Sequence, residues 1–242
     1  GSKRDHYAIG TRLDYRNSKL YVSDELRIDV IYGKESPYGV FQDYMLINPY
    51  YRKGSGGQHS ASVMGEGTFS EQVSPYYEAS LSSFSKSRAT RVMNTLNMTW
   101  QIMEHLELSG NFTFTKDFNK FDQYISFKSE YFSDLPLDSA ELAGQYKIRR
   151  ENTTIYEEDL VLNYSNQFDR HNLNVSLGIH GYAAKDYSDN YIGVGLPSDH
   201  MDYISFAKTY AFNTRPGGRE AFDRLFSGYL SGSYNFDQRY GV

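Results

Sequence analysis

A chain of 242 residues with 39% hydrophobic residues and a mean hydropathy of −0.63 is undersupplied for a large buried core, yet its 23 Tyr, 15 Phe and 1 Trp exclude the aromatic-poor composition of a disordered chain. The absence of cysteine removes disulfides, thiol catalysis and Cys-ligated metals, and a net charge of −5 argues against the basic face of a nucleic-acid binder. The longest apolar run, Tyr44 to Ile47, is far short of the ~18 residues of a membrane-spanning helix.

Gly1-Ser2 reads as a tag remnant, with no apolar signal core after it, and 3–242 reads as one continuous unit. From there, period-2 alternation predicts a strand at 5–16, with Tyr7, Ile9, Leu13 and Tyr15 on one face. A second follows at 19–33 through Leu20, Val22, Leu26, Ile28, Val30 and Tyr32, after a tight turn at Asn17-Ser18. A long segment, 34–88, carries the densest rings: Tyr38, Phe41, Tyr44, Tyr50 and Tyr51. Strands at 91–101 and 105–116 flank a tight turn at 102–104. In the first, Val92, Leu96, Met98 and Trp100 oppose Met93, Thr95, Asn97, Thr99 and Gln101; in the second, Leu106, Leu108, Phe112 and Phe114 oppose Glu107, Ser109, Asn111, Thr113 and Thr115. Beyond a long segment at 117–150, strands at 155–168 (Leu160, Leu162, Tyr164, Phe168) and 172–182 (Leu173, Val175, Leu177, Ile179) meet at 169–171. A third long segment, 188–218, leads to 219–236 (Phe222, Phe226, Leu230, Tyr234, Phe236), a tight turn at 237–238 and an eighth strand beginning at Arg239.

Strands of this length exceed the ~5–6 residues usual in soluble sheets. Short and long connections in strict alternation put every tight turn at one end of a meander and every long loop at the other, the asymmetry of outer-membrane barrels. The last apolar-face residue before each tight turn is Tyr15, Trp100, Phe168 or Phe236, a set that suits a membrane girdle at headgroup level. At the other ends Tyr32, Phe114, Tyr187 and Phe222 keep the same parity, with a band of Leu, Val, Ile and Met between the two belts. A soluble antiparallel sandwich also alternates, but explains neither the loop asymmetry nor the belts, and it would expose two long edges.

The charges Arg12, Asp14, Arg16, Glu25, Arg27 and Asp29 fall on the polar parity and read as ladders pairing across strands or to a plug, with a substrate-binding role as the other reading. The six histidines never form a close pair, and no HExxH, GxSxG or phosphate-loop string occurs, so no catalytic residue, metal site or cofactor is expected and the chain is not read as an enzyme. The rings of the first long loop either stack on a substrate or pack the loop on itself and on a partner lid.

The run Ser36-Pro37-Tyr38-Gly39, Tyr44, Asn48-Pro49-Tyr50-Tyr51-Arg52-Lys53 resembles the first long loop of the SusC/RagA family, TonB-dependent outer-membrane transporters of Bacteroidetes. Ser74-Pro75-Tyr76-Tyr77-Glu78-Ala79-Ser80-Leu81 with Phe84-Ser85-Lys86-Ser87 is similar to the family's "NPLYNA…L.SF.KS" stretch. Leu196-Pro197 with Met201-Asp202-Tyr203 and Phe206-Ala207 resembles another block, and Ser227 to Tyr240 its "R..Y.Y.DRY" hairpin. Ser74 stands where the family has Asn, and Tyr229-Leu230-Ser231-Gly232 lacks the usual wording there. The resemblance implies an all-β chain that is part of a large antiparallel up-and-down transmembrane barrel, about 7–8 of ~22 strands around a plugged lumen, with no plug domain here. It further implies import of an oligosaccharide or peptide across the bacterial outer membrane, a SusD-like surface lipoprotein over the loops, contact with outer-membrane lipid, and TonB engaged through an N-terminal region absent from this stretch. A passive porin or an outer-membrane barrel enzyme is the alternative.

Overall fold

The computed structural model describes residues 3–35, 60–64, 68–72, 75–132, 135–212, 214–236 and 240–241. The main elements are β1 (Lys3–Arg16), β2 (Leu20–Glu35), β3 (Ser60–Met64), β4 (Thr68–Gln72), α1 (Pro75–Ser80), β5 (Phe84–Met103), β6 (Leu106–Ile125), β7 (Gln145–Phe168), β8 (His171–Val194), β9 (Thr209–Tyr210), β10 (Gly217–Phe236) and β11 (Tyr240–Gly241). One antiparallel sheet runs β1-β2-β5-β6-β7-β8-β10-β11 in chain order without a crossover, with β9 pairing the far end of β8. β3 and β4 form a separate hairpin. The sheet is an open arc.

Each tight turn has a local cause. At the first, the Asn17 carboxamide oxygen accepts the backbone N–H groups of Lys19 and Leu20 at 2.8 and 2.7 Å, the side-chain mimicry of a turn that Asn favours. At the third, Asp169 adopts φ +54°, a region that Asp enters more readily than most residues. The reversals fall at 17–19, 104–105 and 169–170, within a residue or two of the sequence expectation, while the expected turn at 237–238 lies outside the described residues. β11 pairs back on β10 through Asn235↔Gly241 and Phe236↔Tyr240. Between these turns come the long connections, at 36–83, 126–144 and 195–216, all at the opposite end.

Those connections are shorter than expected, because the strands continue past the apolar band. β5 begins at Phe84, β6 runs to Ile125, β7 begins at Gln145 and β8 runs to Val194. Both faces there carry polar residues, so alternation is lost while backbone pairing persists. The first long connection also holds β3, β4 and α1, which alternation did not reveal.

The register sets the tilt. The row starting at Leu20 passes Trp100, Leu108 and Leu162 to Leu177 and Leu230. Yet β7 continues to Phe168 and β10 to Phe236 before turning. Spread over the four and six strand spacings between those hairpin tips, the stagger is about one to one and a half residues per strand. With ~3.3 Å per residue and ~4.8 Å between strands this corresponds to a tilt of roughly 35–45°, the range that closes barrels.

Pairing also fixes the faces. Tyr7, Ile9, Leu13 and Tyr15 of β1 share the outer face with Val22, Ile28 and Val30 of β2, Leu96 and Met98 of β5, Leu108, Phe112 and Phe114 of β6, Leu160 and Leu162 of β7, Leu177 of β8 and Leu230 of β10. This face stays open: Ile9 and Leu13 are 70% exposed, Phe226 73% and Leu230 74%, far beyond what a water-facing sheet tolerates as one contiguous surface. The expected band of Leu, Val, Ile and Met is interrupted by polar residues, among them Asp24, Asn94, Glu158 and Arg224, which also face outward. Asp24 and Asn94 satisfy each other, the Asn94 amide donating to the carboxylate at 2.7 Å.

Candidate functional site

The inner face is built from the alternate residues of the same strands and is mainly polar, with scattered apolar members such as Ile31, Met93, Ile155, Val161 and Leu225. Near the middle of β2, the Arg27 guanidinium donates to both oxygens of Asp29, at 2.8 and 3.0 Å, and the ring of His6 on β1 meets the same carboxylate at 3.0 Å. Next to it Arg91 of β5 grips Asp117 of β6 in the same two-pronged way, at 2.7 and 2.9 Å. Together these groups line a trough of about 320 Å³. Further along, Asn111 donates to Asn97 at 2.6 Å, Ser176 to Asn163 at 2.7 Å, and the His180 ring meets the Asp159 carboxylate at 2.7 Å. Two-pronged Arg–carboxylate pairs orient both partners and leave little mobile charge, so the surface offers fixed donors and acceptors. One ring lies flat on it: Tyr229 covers Gly178 directly opposite on β8, where a Cβ would sit 2.1 Å from the ring.

The expected charge ladder is thus placed on the inner face, with a correction to its geometry. Arg12 pairs with Asp14 and Arg27 with Asp29, two residues along the same strand, while the cross-strand contacts run through His6–Asp29, Arg91–Asp117 and Arg12 to the Tyr21 hydroxyl. Residues i and i+2 share a face, so a long Arg reaches its own strand's carboxylate as easily as its neighbour's.

At the far end the long connections are knitted by one carboxylate. Asp199, in the 195–216 connection, accepts hydroxyls from Ser82 at 2.8 Å, Ser126 at 2.5 Å and Tyr124 at 3.3 Å, and the Lys128 ammonium lies 3.1 Å away. Burial alone would raise the Asp199 carboxyl, but the Ser126 and Ser82 hydroxyls and Lys128 outweigh it and hold it below the ordinary carboxylate range. Burial, with Asp199 beside it, pushes the Tyr124 hydroxyl up to about 12. Glu78 of α1, itself buried, accepts the Ser129 hydroxyl at 3.0 Å. All three long connections therefore meet here. Beneath them Tyr124, Tyr146, Ile148 and Leu196 form a small buried core, with Phe84, Tyr191 and Ile204 packed against it. Gly144, at φ +86°, lets the chain pass where any Cβ would meet the Leu196 carbonyl at 2.8 Å.

Tyr15, Trp100, Phe168 and Phe236, expected to form a girdle, all lie on the outer face beside the tight turns. Tyr164 and Tyr234 join them, with the Tyr234 hydroxyl 2.5 Å from the His171 ring; their parity in the sequence carries the same signal. Tyr38, Phe41, Tyr44, Tyr50 and Tyr51 lie outside the described residues. The Asp199 network had no sequence signal, since its members are up to 117 residues apart. Among the described residues, no three His, Asp or Glu side chains converge as metal ligands would.

No protein-family model matches the chain, and no curated protein sequence does. Among solved structures, the RagAB peptide importer in its closed-closed state superimposes with a TM-score of 0.71 at 16% identity, covering 98% of this chain and 26% of that one. The RagAB peptide transporter gives 0.68 at 18% identity over 98% of this chain and 26% of that one. The open-open importer gives 0.66 at 16% identity, over 96% and 26%. This chain thus has the fold of a transporter's barrel wall, and spans about a quarter of the length of the solved chains it matches.

Proposed function

We propose that this chain is one arc of a TonB-dependent importer of the SusC/RagA kind, lying in the bacterial outer membrane with its long connections outside and its tight turns in the periplasm. The observation that carries this reading is the wall itself: an exposed apolar outer face and a hydrogen-bonded polar inner face, on strands whose stagger gives a barrel tilt. About seven long strands would form roughly a third of a ~22-strand ring, with a plug inside. The inner face then confronts the plug and the passage, and its locked Arg–Asp pairs hold the polar wall in one arrangement while a substrate moves past. A SusD-like lipoprotein would seat on the outer loops, and TonB would supply the energy through the plug side. The function is import and not catalysis, of a peptide or an oligosaccharide; similarity to a peptide importer favours the former.

Uptake of labelled peptides and oligosaccharides by cells carrying the complete protein tests this. Uptake of one class is expected, abolished by loss of TonB or of the proton gradient. Uptake that survives both would overturn the reading in favour of a passive channel. Replacing Tyr38, Tyr44, Tyr50 and Tyr51 with Ala should then lower substrate or lipoprotein affinity tenfold or more, at ~0.5–1.5 kcal/mol per stacking ring, with the barrel intact.

A further inference from the structure

Above the apolar band, at the strand ends away from the tight turns, the outward positions change chemistry. The register sets Lys3, Lys34 and Lys86 directly opposite one another across β1, β2 and β5. On the adjacent outward row it sets Arg88, Lys120 and Arg150 opposite one another across β5, β6 and β7. Like charges directly opposite on one face destabilise a sheet. Two successive rows of three repeat that cost, and three carboxylates relieve it only in part, Asp122 standing opposite Lys86 in register. Lys3 reaches Asp5 at 3.2 Å and Lys120 reaches Asp122 at 2.8 Å, and Arg150 stands opposite Asp189 in register. Among the described residues, Lys34, Lys86, Arg88 and Arg150 form no ion pair. Aromatic rings shape the site: the Lys86 ammonium lies 4.0 Å over Phe84 and the Arg88 guanidinium 5.3 Å over Tyr32. Lys3, Lys34, Lys86, Arg88 and Lys120 border a groove of about 440 Å³ on this face, which Asp5 and Asp122 also line, so that its cations outnumber its carboxylates by three.

We propose that this groove binds the phosphates of an outer-leaflet glycolipid, a site on the lipid side of the wall separate from the import path. Three features select a lipid over free phosphate. The cations span three neighbouring strands, roughly 10 Å at ~4.8 Å per spacing, which suits a headgroup bearing more than one phosphate. Beneath Lys3 and Lys34 the outer face turns apolar through Tyr7, Val30 and Ile28, which suits the acyl chains of the same molecule, while Thr90 and Lys116 lie beneath Arg88 and Lys120. The position, immediately beyond the apolar band, is that of headgroups, where juxtamembrane Lys and Arg recognise anionic lipid. The bound phosphates supply counter-charge for the cations that Asp5, Asp122 and Asp189 leave over.

The proposal rests on the outer face meeting lipid, and the experiment separates the two. The complete protein is placed in nanodiscs, and its binding of bisphosphorylated lipid A, of lipid A stripped of phosphate and of inorganic phosphate is measured. Preferential binding of the bisphosphorylated form is expected, weakened by salt and lowered at least tenfold in K34Q/K86Q/R88Q/K120Q. The inner-face pair K147Q/R149Q should leave it unchanged and serves as the control for folding and charge. Equal binding of phosphorylated and stripped lipid, or no loss in the fourfold variant, overturns the proposal while the barrel stands. Inorganic phosphate that competes at millimolar concentration overturns it in favour of a simple ion site. Failure of the unsubstituted protein to enter a bilayer overturns the barrel reading and this proposal with it.

Discussion

The lower and upper halves of the same strands obey different rules. Near the tight turns β6 reads Leu106, Leu108, Phe112 and Phe114 outward against Glu107, Asn111 and Thr113 inward. Toward the loops the partner strand β7 reads Arg149, Arg150, Glu151 and Asn152, polar on both sides, yet its ladder to β8 continues without a break. Alternation is therefore a record of the solvent on each side of the wall and not of strand formation. Where hydrocarbon stops, the backbone still pairs but the side chains no longer sort. Above the band, cohesion beyond the backbone ladder comes from the Asp199 network and the small Tyr124–Leu196 core.

The sharpest way to break this contrast is to place a charge on each face in the lower half. Leu108→Arg or Phe112→Arg should cost about 2–4 kcal/mol on folding into lipid vesicles, and Asn111→Arg well under half of that. Equal costs would erase the distinction between faces.

In the upper half the expected weak point is one carboxylate. Asp199→Ala removes the acceptor of the Ser82 and Ser126 hydroxyls and one partner of the Lys128 ammonium, and should open the loops by about 1–3 kcal/mol with the lower strands undisturbed, as read by amide exchange over 195–210. Its pH dependence has a definite sign. The native carboxyl lies below its unfolded value, so its contribution is complete above about pH 4 and is lost as pH falls through the native pKa. Loop protection should be flat from pH 8 to 5 and decline only in acid. A decline centred near pH 6 would point to a different group.

Gly144→Ala should cost about 1–2 kcal/mol from the left-handed backbone alone, with the Leu196 carbonyl clash in addition, and should loosen the rim while the band keeps its exchange protection. The smallest effect belongs to the other end. Asp169→Gly relieves the positive φ in the third tight turn and should stabilise by up to about 1 kcal/mol, visible as a slower unfolding rate in detergent. A destabilisation there would mean that the Asp side chain supports the turn.

The division explains what was legible in the sequence. Tyr15, Trp100, Phe168 and Phe236 could be assigned to one face because each lies within a few residues of a turn that sets the phase, and alternation carried that phase through the band. The phase vanished at Gln145 to Thr154 and at Phe84 to Thr90, so the strands were read several residues too short. Asp24, Asn94 and Glu158 broke the band unseen because a polar residue on the apolar parity looks like noise until its partner strand is known. The Asp199 network could not be read at all, since serine hydroxyls far apart in the chain leave no periodic trace.

The arc has two bare margins. On its outer side β1 offers all of Lys3–Arg16 without a neighbour among the described residues, and β10 is paired on its free side only at Asn235 and Phe236. Each margin is a column of amide groups that water can satisfy and hydrocarbon cannot, at several kcal/mol for every group left bare. In the barrel proposed above, both margins would have to be paired before hydrocarbon covers them.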